Sequence, residues 1–167
     1  MITPEYCQMM AEYNQWMNQK IYAICRGLPE AEYKADRGAF FGSIHRTLDH
    51  ILLADRIWMG RFTQQLFTGS IGQEFYADFE PLQQARQEFD RDLISWTNSR
   101  TPQWLAQALT YTSGIDKKER TMPLGVLVTH LFNHQTHHRG QVTTLLSQLG
   151  CDIGSTDLPW LPKFFLD

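Results

Sequence analysis

The sequence of 167 residues lacks the features that mark membrane, exported and nucleic-acid-binding proteins. No apolar run approaches the ~20 residues needed to span a bilayer, and the amino terminus has no cationic segment followed by an apolar stretch. The formal net charge is -3, and no Lys/Arg run or basic stripe is present. We therefore expect a cytoplasmic protein with neither a membrane nor nucleic acid as its partner.

Cysteine is also scarce. The three residues, Cys7, Cys25 and Cys151, are odd in number and show no C-x-x-C spacing. This argues against both a disulfide framework and a thiolate zinc site, and it predicts reduced thiols. The length is that of one domain over residues 1–167, long enough to bury a substantial apolar core.

What the sequence does contain is helical periodicity, with apolar residues recurring at three-to-four spacing in four long segments. Typical start and stop residues flank them, such as Thr3 before the first segment and Gly150 after the last. The segments run from about Pro4 to Leu28, from near Ser43 to before Thr68, from Phe79 to Trp96 and from near Pro123 to Gly150. The pattern predicts an all-α four-helix bundle.

Two segments fall outside this pattern. The periodicity weakens between Thr101 and Met122, where a short irregular hairpin fits better than a helix. The stretch from Cys151 to Asp167 contains Gly154 and two prolines, so it should form a non-helical tail. Because the tail carries apolar side chains that need burial, we expect it to cross the bundle or an oligomer interface. These side chains are Trp160, Leu161, Phe164 and Phe165.

Four of the six histidines lie within nine residues of the fourth segment. His130, His134 and His138 recur every fourth position, and such positions drift by only about 40° per step around a helix. They share this face with leucines, which places the imidazoles in the buried stripe. A metal ion on one ring nitrogen and a hydrogen-bond acceptor on the other would satisfy a buried imidazole.

One helix cannot supply all three ligands. Histidines four residues apart can reach one ion, but His130 and His138 are separated by about 12 Å along the axis. A third ligand must come from another helix, where His45 and His50 are the candidates. Both lie to the side of the second helix's apolar stripe, so periodicity leaves the choice open.

Two motifs carry a resemblance to a known family. They are the segment GSIHRTLDHIL at 42–52 followed by Asp55 and Trp58, and the segment HQTHHRGQ at 134–141. Together they resemble the DinB family of the DinB/YfiT-like metalloenzyme superfamily, and the similarity extends over nearly the whole chain. It implies that His50, His134 and His138 bind a divalent metal. It also implies a four-helix bundle of up-down-down-up order, and a homodimer.

Three neutral imidazoles leave the ion its double charge and an open position, which is typical of catalytic sites. Since some relatives are thiol-dependent transferases or isomerases, the resemblance implies a metal-dependent enzyme acting on a small molecule, thiol transferase-like or hydrolase-like. A low-molecular-weight thiol would be the cosubstrate, and Zn²⁺ or Ni²⁺ the ion most expected. The alternative is a noncatalytic metal-binding stress-response protein.

Further residues are candidates for the surroundings of the ion. His130 could donate a hydrogen bond near the site, but we favour a satisfied core histidine. Arg139 could bind a substrate carboxylate or pair with a surface acid, and Gln141 could orient a ligand. Asp55 is expected to make a structural hydrogen bond rather than act as a base. His45 is expected at the surface.

Overall fold

The computed structural model describes residues 2–69 and 72–165, and its architecture rests on four long helices, as the periodicity predicts. These are α1 (Pro4–Arg26), α3 (Ile44–Thr63), α4 (Phe79–Asn98) and α6 (Leu124–Gln148). Shorter elements connect or follow them: α2 (Glu30–Lys34), α5 (Pro102–Ala106), β1 (Ala108–Thr112), β2 (Glu119–Pro123) and 3₁₀ turns at Leu158–Trp160 and Pro162–Phe164. The all-α four-helix prediction is confirmed.

The helix ends follow local chemistry. The Thr3 hydroxyl accepts a hydrogen bond from the Tyr6 amide at 3.2 Å, and Pro4 occupies the first turn of α1. The Ser43 hydroxyl accepts from the Arg46 amide at 3.1 Å and so caps α3. Beyond α6, Gly150 has a φ of 78°, the left-handed conformation that glycine adopts without strain.

Contacts between the long helices establish their directions. Residue pairs run in opposite order along α1 and α4 (Asn18–Asp90, Arg26–Gln83) and along α3 and α6 (His50–His134, Trp58–His130). They run in the same order along α3 and α4 (Asp55–Arg86, Phe62–Trp96) and along α1 and α6 (Tyr6–Phe132, Asn14–Arg139). Helix α1 is thus antiparallel to α4 and α3 is antiparallel to α6, whereas α3 and α4 run in the same direction. Taken along the chain, the four long helices follow the up-down-down-up order.

The segment of weak periodicity before the last helix forms α5 and then a regular antiparallel hairpin of β1 and β2. Ala108 pairs with Pro123, and Thr112 with Glu119. Because β2 runs directly into α6, the first amide of that helix is satisfied by the hairpin base: Leu124 N–H donates to the Gln107 carbonyl at 2.8 Å. The hairpin therefore sets where α6 begins.

The tail lies along α1 rather than over the open end of the bundle. The Tyr13 hydroxyl donates to the Thr156 carbonyl at 2.5 Å, and Lys163 forms an ion pair with Glu12. Leu161 is buried, but Trp160, Phe164 and Phe165 are each about half exposed. The expectation of burial against the bundle is therefore wrong for the three aromatic residues, while the alternative of an oligomer interface stays a prediction.

Among the described residues, none of the helices combines the length and apolar character needed to cross a bilayer. The apolar side chains instead form one core shared by all four long helices. Phe132, Leu131 and Leu48 are among those fully buried, and each such side chain contributes about 1.5–3 kcal/mol of transfer free energy.

The Ser43 cap supports the helix that carries His50, so we expect Ser43→Ala to lower the free energy of unfolding by about 1 kcal/mol. Urea unfolding of the metal-free protein measures this loss. Ser147→Ala, at an exposed position of α6, is the matched control and should change stability by less than about 0.5 kcal/mol. Equal effects of the two substitutions would contradict the capping role.

Candidate metal centre

Three imidazoles from two helices converge between α3 and α6. Nε2 of His134 lies 3.2 Å from Nε2 of His50 and 3.1 Å from Nε2 of His138. Each of the three histidines places a ring nitrogen within 4.8 Å of the other two. An ion held at about 2.1 Å in a tetrahedral site would separate its ligand nitrogens by about 3.4 Å. The three histidines are therefore placed so that they could hold a single metal ion.

The convergence follows from helix geometry. His134 and His138 are one turn apart on α6, so their side chains emerge from the same face. The antiparallel packing of α3 brings His50, near the start of that helix, opposite this pair. Of the two alternatives that periodicity left open, the structure brings His50 and not His45 to the pair.

The hydrogen bonds of the rings determine which nitrogens are free. Nδ1 of His138 donates to Oε1 of Gln141 at 2.7 Å, which leaves a lone pair on its Nε2. If His134 carries its proton on Nε2, this single N–H can donate a hydrogen bond either to His50 or to His138, but not to both. Within the described residues, Nδ1 of His50 and Nδ1 of His134 are buried without a hydrogen-bond partner. Hydrogen bonds between neutral rings therefore leave ring nitrogens of the three histidines without a partner. A cation that accepts one lone pair from each ring would remove this deficit at the Nε2 atoms.

Burial also keeps these rings neutral. It lowers the pKa of His50 to about 4 and that of His134 to about 3, and the neighbouring imidazoles add to both shifts. The pKa of His138 is lowered by burial as well, although its hydrogen bond to Gln141 opposes the change. Neutral imidazole is the form that binds metals, so the group is ready for a cation at neutral pH.

Phe41 covers one side of the group. Its ring stacks on His50 with centroids 3.9 Å apart and meets His138 edge-on at 5.4 Å. Beside it, a cleft of about 420 Å³ opens next to His50, with Phe40, Arg46 and Glu74 among its lining residues. The size is within the range of small-molecule sites. Helical periodicity does not predict a role for Phe41, although two phenylalanines between Gly38 and Gly42, outside the predicted helices, are a signal that the chain packs there.

The wall of this cleft is held by groups that the sequence analysis misplaced or missed. His45, expected at the surface, is 1% exposed: its Nδ1 lies 3.1 Å from the Tyr33 hydroxyl, and its Nε2 lies 2.7 Å from the Tyr76 carbonyl. Asp49 accepts backbone hydrogen bonds from Phe75 and Tyr76. The surface prediction fails because the connection between α3 and α4 folds back over the start of α3.

His130 is solvent-exposed, so the expectation of a satisfied core histidine is wrong. Its ring lies edge-on to Trp58 at 5.1 Å and 5.8 Å from the ring of His134. Desolvation and the charge of Arg61 lower its pKa. His137 is exposed beside His138. Neither ring is brought into the group of three.

Asp55 and Arg139 lie inside the bundle. The Asp55 carboxylate accepts a hydrogen bond from Arg86 at 2.6 Å, and burial raises its pKa to about 6. Arg139 is 3% exposed, donates to Asn14 and Thr136, and lies over the Tyr13 ring. Arg139 therefore reaches neither the cleft nor a surface acid, and a direct contact with an anionic substrate is not supported.

Fold and site together define a class of proteins: a four-helix bundle of up-down-down-up order with a three-histidine group between its second and fourth long helices. Comparison with known proteins agrees. The model of the DinB family matches residues 1–164, and the chain belongs to that family.

The similarity to known proteins extends over most of the chain. It is 28% identical over 166 residues to Protein DinB of Bacillus subtilis, an alignment that covers 92% of this chain and 91% of the relative. It also resembles the crystal structure of a DinB-like protein from Bacillus cereus, with a TM-score of 0.61 and 17% identity over 84% of this chain and 90% of that one. The second likeness supports the fold alone.

The lowered pKa of His50 predicts how the stability of the metal-free protein depends on pH. The unfolded chain binds a proton below about pH 6.5, while folded His50 resists protonation until about pH 4. This stabilising contribution of neutral His50 is therefore complete above pH 6.5 and is lost as the pH falls to about 4, by about 3 kcal/mol in total. Urea unfolding at several pH values, compared with His50→Asn, isolates it. Parallel curves for the two proteins would contradict the prediction.

Proposed function

We propose that His50, His134 and His138 bind one divalent metal ion through Nε2, and that the protein is a metal-dependent enzyme acting on a small molecule. The observation that carries the proposal is the convergence of three neutral, largely buried imidazoles, each of which places a ring nitrogen within 4.8 Å of the other two. Thiol transfer and hydrolysis are the reaction classes that such a site supports best.

The donor set supports a catalytic site rather than a closed structural one. Structural zinc sites use four protein ligands, whereas three ligands leave a position for water or substrate. When bound, a divalent ion in this setting supplies Lewis-acid activation of water or of a low-molecular-weight thiol. Imidazole suits Zn²⁺ and Ni²⁺, so these are the ions we expect protein preparations to contain.

The chain's own residues would prepare the site. Oε1 of Gln141 accepts a hydrogen bond from Nδ1–H of His138 and so holds that ring with its Nε2 lone pair toward the group. Phe41 covers the outer face of His50 and excludes water from it. The adjacent cleft would receive the substrate, with Arg46 and Glu74 offering charges of both signs at its rim.

A noncatalytic metal-binding role in the stress response is the second candidate. It is favoured by the position of the group between two helices, because an ion there would crosslink α3 and α6 and stabilise the bundle whether or not a reaction takes place. The homodimer implied by the family resemblance stays a prediction for either role, and analytical ultracentrifugation tests it.

Metal binding is tested by replacing each ligand with alanine. We expect untagged wild-type protein to contain close to one divalent ion per chain by elemental analysis. His50→Ala, His134→Ala and His138→Ala should each lose it while circular dichroism shows a retained helical fold. His130→Ala and His137→Ala are matched controls on α6, because both rings are exposed and outside the group. Equal loss in the controls would refute the ligand set.

The hydrogen bond from His138 to Gln141 predicts an effect on affinity. Gln141→Leu removes the acceptor but none of the three ligands, so we expect the dissociation constant for Zn²⁺ to rise by about 10–100-fold. Competition with a chromophoric chelator measures it. Gln148→Leu, near the end of the same helix, should leave the affinity unchanged.

Catalysis is tested with a panel of low-molecular-weight thiols and electrophilic acceptors, together with ester and amide substrates. We expect turnover that disappears on chelation and returns on adding Zn²⁺ or Ni²⁺. If chelation lowers the melting temperature but no member of the panel is turned over, the noncatalytic role is favoured. Full activity in metal-free protein would exclude the metal-dependent enzyme.

A further inference from the structure

A layer of polar side chains crosses the interior of the bundle at the level of the three histidines. Each member of this polar layer is at most 3% exposed. The members are Asn14 and Asn18 of α1, Asp55 of α3, Arg86 and Asp90 of α4, and Gln135 and Arg139 of α6. All four long helices contribute, and the two carboxylates balance the two guanidinium groups.

Within the layer, Arg86 is the centre of a chain of ion pairs. It contacts Asp55 at 2.6 Å and Asp90 at 2.8 Å, and Asn18 donates to both oxygens of Asp90. This chain joins α1, α3 and α4. Removing one partner of such a buried pair leaves an uncompensated charge and is strongly destabilising, so the layer resists displacement.

Helix α6 joins the layer through Arg139 and Gln135. Arg139 donates to the Asn14 side chain of α1, with no carboxylate in direct contact among the described residues. The Gln135 side chain is also fully buried in the layer, but neither of its amide atoms has a hydrogen-bond partner among the described residues. Arg139 therefore makes the hydrogen-bonded attachment of α6 to the layer.

The sequence positions of these two residues connect the layer to the metal centre. Gln135 directly follows His134 and Arg139 directly follows His138, so each candidate ligand is about 100° around the helix from a residue of the layer. Any rotation of α6 that turns the histidines away from His50 also pulls Arg139 away from Asn14. Packing between apolar side chains tolerates small rotations at low cost, whereas a buried guanidinium without its partners does not.

We propose that Arg139 is a positioning residue: through its hydrogen bond to Asn14 of α1 it holds α6 in the rotational orientation that directs His134 and His138 at His50. Arg139 does not touch the three imidazoles and acts only through the orientation of the helix. The consequence for metal affinity rests on the proposed function, while the consequence for the arrangement of the rings does not.

The test compares Arg139→Met with Leu145→Ala, a core substitution on the same helix but outside the layer. Both should destabilise the protein. In Arg139→Met, we expect the affinity for Co²⁺ to fall at least 10-fold and its visible absorption spectrum to change, whereas Leu145→Ala should keep both. Arg139→Lys, which retains the charge and one donor, should recover most of the affinity. An unchanged affinity and spectrum in folded Arg139→Met would overturn the proposal.

A second readout needs no metal. In metal-free wild-type protein, ring protons of His50 and His134 should show a nuclear Overhauser effect because the rings are in contact. Its loss in Arg139→Met supports the positioning role, and its persistence overturns it, even if the wild type proves not to bind Co²⁺ and the proposed function fails. If Arg139→Met does not fold, Asn14→Ala, which removes the acceptor on α1 and preserves the charge balance, carries the same expectations and the same overturning result.

Discussion

The antiparallel packing of α3 against α6 is the constraint on which the candidate site depends. It places the beginning of one helix opposite the middle of the other, so that His50 faces the His134–His138 pair. Neither helix could form the group alone, because a single rigid helix offers only two imidazoles within reach of one ion. The site therefore exists only when the bundle is assembled.

Burying His50 and His138, and part of His134, opposes folding unless something compensates for the lost hydration. Their lowered pKa values are one expression of this cost, and the partnerless ring nitrogens are another. A bound cation would satisfy both, which couples metal binding to the stability of the bundle. The same low-dielectric surroundings would strengthen the electrostatic effect of an ion on a substrate.

The charged side chains in the bundle interior, unlike the partnerless ring nitrogens, have partners within the protein. Arg86 forms ion pairs with both Asp55 and Asp90, while Arg139, which supplies the second positive charge, is held by Asn14 and the Tyr13 ring. A purely apolar core would be easier to bury but would specify the rotation of each helix less strictly. The interior of this bundle is thus arranged for orientation as much as for stability.

Periodicity, caps and breakers were sufficient to predict the four long helices, since those signals act within a few residues of each other. Helix spacing also predicted that His134 and His138 share a face. Which histidine of α3 joins them could not be derived from periodicity, because His45 and His50 both lie to the side of the apolar stripe. That choice came from the family resemblance, and the structure brings His50 to the pair.

By itself, then, the sequence determined the helices, the recurrence of histidines at every fourth residue and the family to which the chain belongs. The tertiary structure alone decided the surroundings of each polar group: His45 is buried by a returning connection, His130 is exposed, and Arg139 points into the bundle. The physical reason is the sequence separation over which the interactions act. Helix formation depends on neighbours along the chain, whereas burial and pairing of a side chain depend on residues far away in sequence.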